Sequence, residues 1–148
     1  MKVMLAYDAS PEAEAAAEEV SRRPWPEGTQ VRLITVLHKS PPSPCPDGCD
    51  IYAPLAERVA AVMRKEAYHK IRRVLEKFAT RSDIEASYEL CEGSVKQCLL
   101  RAILEWKPDL VVAATAQGQA AKGPGSVAQT LVACAPCTVE IFKTPTAA

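Results

Sequence analysis

Apolar residues fall in two rhythms along this chain. Short unbroken apolar runs, the mark of buried strands, alternate with stretches in which apolar positions recur every three or four residues, the mark of amphipathic helices. Residues 2–7 (KVMLAY) are the first such run, and they halt at Asp8. Ser10, Pro11 and Glu12 then read as a helix start: a capping hydroxyl, a proline where its missing N–H is not needed, and an acid in the first turn. Ala13, Ala16, Ala17 and Val20 keep the helical spacing, and this helix is expected to stop before Pro24. Residues 31–37 (VRLITVL) form a second strand. Residues 40–50 (SPPSPCPDGCD) are too rich in proline for regular structure.

From about residue 55 to 78, Leu55, Val59, Val62, Ile71, Leu75 and Phe78 make one apolar helix face, with Arg, Lys and Glu opposite. Ile84, Ala86, Tyr88 and Leu90 alternate with Glu85, Ser87 and Glu89, the pattern of a half-exposed strand near a sheet edge. Ser94 is expected to cap the next helix, where Val95, Cys98, Leu99, Ala102, Ile103 and Trp106 hold the helical period until Pro108-Asp109 breaks it. Residues 110–114 (LVVAA) are a buried strand, followed by a loop rich in Gly and Ala. A short helix at about 126–133 and a last strand at 138–142 (TVEIF) complete the chain.

Strand and helix alternate throughout, with no internal repeat. That alternation predicts an α/β fold, a parallel sheet with helices on both faces. Such sheets bind ligands beyond the C-terminal ends of their strands, where the strand order reverses. The candidate site is therefore made by the residues just past each strand: Asp8, residues 36–38, residues 91–93 and the loop after Ala114.

Composition narrows the picture. The 148 residues fit a single domain, 1–148, with one sizeable core. Eighteen basic and eighteen acidic residues cancel, which argues against a nucleic-acid groove but leaves room for one small anion. The first apolar run is too short for a secretory signal and no run approaches a membrane span, so a soluble cytoplasmic protein is expected, with no membrane partner. Its six cysteines are then reduced by default.

Four stretches give the chain a resemblance: AYDAS at the first strand end, CEGSV before the third helix, PDLVVAA at the fourth strand, and GSVAQTLVACAPCTVEIF at the C-terminus. In their order and spacing they resemble the universal stress protein domain over nearly the whole chain. The resemblance implies a five-stranded, Rossmann-like parallel sheet of order 3-2-1-4-5, of the adenine nucleotide alpha hydrolase-like type. It often goes with a homodimer joined through the last strand, here 138–142. Many members bind ATP, holding adenosine at the ends of the first two strands and phosphates in a glycine-rich loop. Those roles fall on Asp8, Val36, Gly125, Ser126 and Val127. With the neighbouring strand ends and loop glycines, the candidate site for ATP or a related adenine nucleotide is Ala6, Asp8, Val36, Ala113, Gly118, Gly123, Gly125, Ser126 and Val127. The first half of the family's phosphate loop is altered here: Ala114 and Gln117 stand where glycines are expected, Gly118 comes one place late, and the loop is shorter.

Several groups carry two readings. Gly123-Pro124-Gly125-Ser126 opens a helix whose free N–H groups suit an anion, with Lys122 close by, or it is a glycine-capped connection without a ligand. Asp8 either caps the first helix or meets a ribose or adenine. Cys134 and Cys137 have thioredoxin-like spacing, but they follow a helix rather than precede one, which favours ordinary packing. His38, Cys45, Cys49 and Cys91 leave the same end of neighbouring strands and form an alternative set: a zinc site, a redox pair, or free thiols on a solvated loop. His69 reads as a surface residue. No pair of groups is assignable as general acid and base, so a non-enzymatic protein is expected, with weak ATP hydrolysis at most.

Overall fold

The computed structural model describes residues 1–37, 52–115 and 126–143. Five strands and four helices alternate along it: β1 (Lys2–Ala6), α1 (Pro11–Arg22), β2 (Thr29–Leu37), α2 (Tyr52–Ala79), β3 (Ile84–Glu92), α3 (Val95–Trp106), β4 (Leu110–Thr115), α4 (Ser126–Cys134) and β5 (Thr138–Lys143). The strands form one parallel sheet in the order β3-β2-β1-β4-β5, as the resemblance implied.

Local chemistry explains why α1 starts where it does. Ser10 stands at its N-cap with the hydroxyl accepting from the Ala13 N–H at 3.1 Å, Pro11 comes next, and Glu12 and Glu14 occupy the first turn. The small residues Ala13, Ala16 and Ala17 are all buried and let the helix lie close on the sheet.

The core divides by strand parity. Val3 and Leu5 of β1, with Tyr7 just beyond it, face a cluster made with α1 and α2, which includes Val20, Ile71, Val74 and Phe78. Met4 faces the opposite cluster, built with Leu99, Ala102 and Ile103 of α3 and Leu131 of α4. β1 is therefore covered on both faces, as the middle strand of a parallel sheet must be.

The structure departs from the sequence pattern in three places. β2 begins at Thr29 rather than at residue 31, because the buried Thr29 hydroxyl donates to the Pro26 carbonyl at 2.6 Å and so tolerates burial. Ser94 occupies the N-cap of α3, but its hydroxyl makes no capping bond; only its carbonyl accepts, from the Cys98 N–H.

The third departure is in α2. Leu55, Val59 and Val62 do not share the buried face with Ile71 and Phe78; they are 55%, 52% and 57% exposed. A 28-residue helix is about 42 Å long, whereas a nine-residue strand spans about 30 Å, so the first turns of α2 overhang the sheet.

α3 ends on Lys107, which adopts a left-handed conformation (φ 53°) and donates its N–H to the Ile103 carbonyl at 2.9 Å. Glycine is the residue that takes this conformation without Cβ strain. Lys107→Gly is expected to raise stability by about 1 kcal/mol in urea unfolding, with an unchanged denaturant slope.

Candidate functional site

A cleft of about 170 Å3 opens at the C-terminal ends of β1 and β2. Its floor is made by Tyr7, Asp8 and Ala9 after β1 and by Thr35, Val36 and Leu37 at the end of β2. One wall comes from α2, where Met63, Glu66, Ala67 and Lys70 succeed one another at helical spacing. Asp8 and Val36, singled out from the sequence, thus line the same cleft.

Backbone and side-chain bonds hold the floor in shape. The Tyr7 N–H donates to the Ile34 carbonyl at 2.9 Å, and the buried Thr35 hydroxyl donates to the Tyr7 carbonyl at 2.8 Å. Both backbone groups of Tyr7 are therefore tied to β2 at the point where the chain leaves the sheet. Ala9 then takes a positive φ of 63°, a conformation that is strained for a residue with a Cβ. The carboxylate of Asp8 accepts from the Ser10 N–H at 3.0 Å and fastens this turn. Ser10, not Asp8, caps the helix, so Asp8 stays exposed at the cleft mouth.

Beneath the cleft the Tyr7 hydroxyl donates to the Glu14 carboxylate. Burial, reinforced by that bond, pushes the phenol well above its ordinary range, so Tyr7 stays neutral. Lys77 bridges Glu14 at 3.7 Å and Glu18 at 2.8 Å, which ties α1 to α2 beside this pair.

The remaining sequence candidates divide by position. Ala6 is paired in register with Ala113 on β4, and both have small side chains at the strand ends. Ala6, Val36, Ala113 and Val127 all pack on the cluster under α3 and α4. Val36 is thus shared between the cleft and that cluster. Ser126 is the first residue of α4. Gly118, Gly123, Gly125 and Lys122 lie outside the described residues.

Of the alternative thiol set, His38, Cys45 and Cys49 lie outside the described residues. Cys91 is described, and its chemistry is not that of a reactive thiol. It is 5% exposed, paired in register with Val36, and its Sγ donates to Glu89 at 3.3 Å while accepting from Arg101 at 3.8 Å. Burial, with Glu89 adding to it, pushes the thiol up to about 11, the reverse of the lowered value a thiolate nucleophile needs. Among the described residues no group of three or more His, Cys, Asp or Glu is arranged to hold a metal ion. Cys98 is buried as expected, and its thiol points to the Glu92 carbonyl at 3.7 Å. Cys134 is exposed and Cys137 packs into the α3–α4 cluster. Both precede β5, whose Thr138 pairs with Leu110 at the opposite end of the sheet from the cleft. His69 lies exposed on α2.

Sequence reasoning missed the α2 wall. Met63, Glu66, Ala67 and Lys70 have the i, i+3, i+4, i+7 spacing of a single helix stripe, and that was the available signal. The Thr35–Tyr7 bond left no local signature.

The match to a family model decides the kinship: the model of the universal stress protein family covers residues 1–143. The chain belongs to the universal stress protein family. Solved structures agree on the fold. The universal stress protein UspA from Lactobacillus plantarum is 19% identical, with 96% of this chain and 97% of that one aligned and a TM-score of 0.72. A family protein from Arabidopsis thaliana with AMP bound is 18% identical, with 99% and 93% aligned and a TM-score of 0.65. A universal stress protein in complex with cAMP is 16% identical, with 96% and 95% aligned and a TM-score of 0.61. No curated protein matches the sequence. Among the described residues no helix is long and apolar enough to cross a membrane.

The Cys91 environment has a consequence for pH dependence. A thiol whose folded pKa is raised from 9.0 to about 11 favours the folded state in its protonated form. That stability is fully present below about pH 9 and is lost as pH rises towards about 11. The wild type is therefore expected to lose more stability than Cys91→Ser between those values in urea unfolding. At pH 8 only about a thousandth of Cys91 is thiolate, so iodoacetamide should label Cys134 long before it labels Cys91, as read by mass spectrometry.

Proposed function

We propose that this universal stress protein is a cytoplasmic, nucleotide-responsive protein that binds ATP or a related adenine nucleotide and acts as a homodimer. The observation that carries the reading is the cleft at the C-terminal ends of β1 and β2, which Asp8 and Val36 both line. The volume of about 170 Å3 is below that of a whole ligand site, which suits a base and ribose rather than a complete triphosphate. In this reading Asp8 accepts from the ribose or base, and the backbone of Val36 meets the adenine edge. In this reading the phosphates run past Ala6 and Ala113 by way of Gly118, Gly123 and Gly125 to Ser126 and Val127, where the positive end of the α4 dipole favours an anion. The AMP and cAMP carried by two relatives support an adenine nucleotide as the ligand class. Nothing in the cleft demands hydrolysis.

The dimer in this reading forms through residues 138–142, since β5 is an edge strand. The thiol alternative is the weaker reading, because its one described member, Cys91, is held protonated.

Titration calorimetry with AMP, ATP and GMP tests the proposal. Adenine nucleotides should bind in preference to GMP, and Asp8→Ala should weaken AMP binding by about tenfold or more while leaving the folded state intact. A well-folded protein that binds neither AMP nor ATP at millimolar concentration would sink the nucleotide reading. ATP binding no tighter than AMP binding would show that the shortened loop makes no productive phosphate contacts.

A further inference from the structure

α2 has a second concave side. Ala61, Arg64, Lys65, Tyr68, His69 and Arg72 line an open trough of about 400 Å3, more than twice the volume of the cleft. Their spacing makes one continuous stripe, and Ala61 to Arg72 spans about 16 Å of helix. Lys70 of the cleft wall comes two residues after Tyr68, about 200° round the helix, so the trough and the cleft lie on different sides of it. Towards the sheet the trough meets the outermost strand, β3. Tyr68 packs edge to face on Tyr88 with ring centroids 5.7 Å apart, and Arg64 reaches Glu92 at 3.3 Å.

The lining is cationic. Arg64, Lys65, His69 and Arg72 are basic residues, and no lining residue is acidic. α2 as a whole carries seven basic and three acidic residues in a chain whose charges sum to zero. Elsewhere cations stand against carboxylates: Arg22 against Glu18, Arg23 against Glu140, Lys77 against Glu18 and Arg81 against Asp83. In the trough only Arg64 is matched in this way, by Glu92. Lys65, His69 and Arg72 have no carboxylate partner among the described residues. Glu76 is one turn past Arg72 but makes no ion pair with it, and an acid after its base is the weaker order for such a pair. Positive charges three and four residues apart repel one another, so this stripe stands ready for a counter-charge. The Tyr68 hydroxyl, without a hydrogen-bond partner among the described residues, adds a neutral donor between the cations.

We propose that this trough binds a run of adjacent phosphates, the chemistry of a condensed phosphate chain. Arg64 and Arg72 are eight residues and about 12 Å apart along the helix, too far for one phosphate to engage both. A chain of phosphates reaches along the stripe. The two guanidinium groups offer paired N–H donors to its oxygens, Lys65 a compact charge and Tyr68 an O–H. The site does not rest on the nucleotide reading, because no residue lining the trough lines the cleft.

Titration calorimetry of the full chain with inorganic tripolyphosphate at low salt tests the site. Tripolyphosphate should bind, and Lys65→Gln with Arg72→Gln should weaken it by about tenfold or more. Tyr68→Phe should weaken it by a smaller factor, since it removes one neutral donor. Arg22→Gln with Lys107→Gly, which removes two exposed charges away from the trough, should leave the affinity unchanged. No binding at millimolar tripolyphosphate overturns the proposal, and so does an equal loss in the two double variants, which would mean diffuse attraction. An oligoglutamate peptide that binds as tightly overturns the choice of phosphate. Displacement of tripolyphosphate by AMP overturns the trough as its location, whereas a protein that takes tripolyphosphate and no AMP loses only the nucleotide reading. ATP added to AMP-saturated protein separates the sources of the chain, and either answer supports the trough. Affinity equal to tripolyphosphate means that a nucleotide tail is accepted, and weaker affinity assigns the site to free condensed phosphate.

Discussion

Burial of β1 on both faces is the constraint on which the rest of this molecule depends. Val3, Met4 and Leu5 are successive residues with no exposed surface, so the strand needs one helical layer for its odd positions and another for its even ones. β2 and β3 lie on one side of β1, and β4 and β5 on the other. Right-handed crossovers on the two sides then carry the chain to opposite faces, and the connections part at the end of β1. The cleft lies beside that parting, at the ends of β1 and β2 and against α2. Its floor is fixed because Thr35 and Ile34 hold both backbone groups of Tyr7, while beyond Tyr7 the chain turns away through Ala9.

What could be read from the sequence was what is local. The start of α1 is written in Ser10, Pro11 and Glu12, and the structure uses them through bonds only a few residues long. The alternation of β3 predicted its place at the edge, and it is there. The residues at the strand ends, Asp8 and Val36, meet at one cleft because topology alone brings strand ends together. What was not legible depends on distant partners. Periodicity says that Leu55, Val59 and Val62 are apolar, but not that the sheet stops short of them. The burial of Cys91 beside Arg101 on α3 requires knowing which face of β3 that helix covers. Arg23 and Glu140 are 117 residues apart, and neither position carries a local sign of the other.

The overhang of α2 also has a use. The helix is too long for its sheet at the end where the strands release the chain, so part of it stands beside the cleft instead of over the core. Ile71, Val74 and Phe78 anchor the other half, and Lys77 locks it to α1 through Glu14 and Glu18. Exposed ion pairs of this kind contribute little individually, so the apolar anchors hold the wall in place and the lysine trims its angle. The wall thus places Glu66 and Lys70 at the cleft, although neither is near the strand ends in sequence.

The cleft side and the edge are linked by a short physical path. Ala113, at the end of β4, is paired with Ala6 on one side and with Ile141 on the other. β4, which flanks β1 on the side away from β2, is therefore the strand on which β5 is built. Packed strands pass displacement across their hydrogen bonds because the core beneath them has little free volume to absorb it. α4 strengthens the path, since it follows the C-terminal end of β4 while Leu131 sits in the core that also takes Val139 and Ile141. One strip of sheet, only three strands wide, thus joins the end of β1, where the cleft opens, to the edge strand β5.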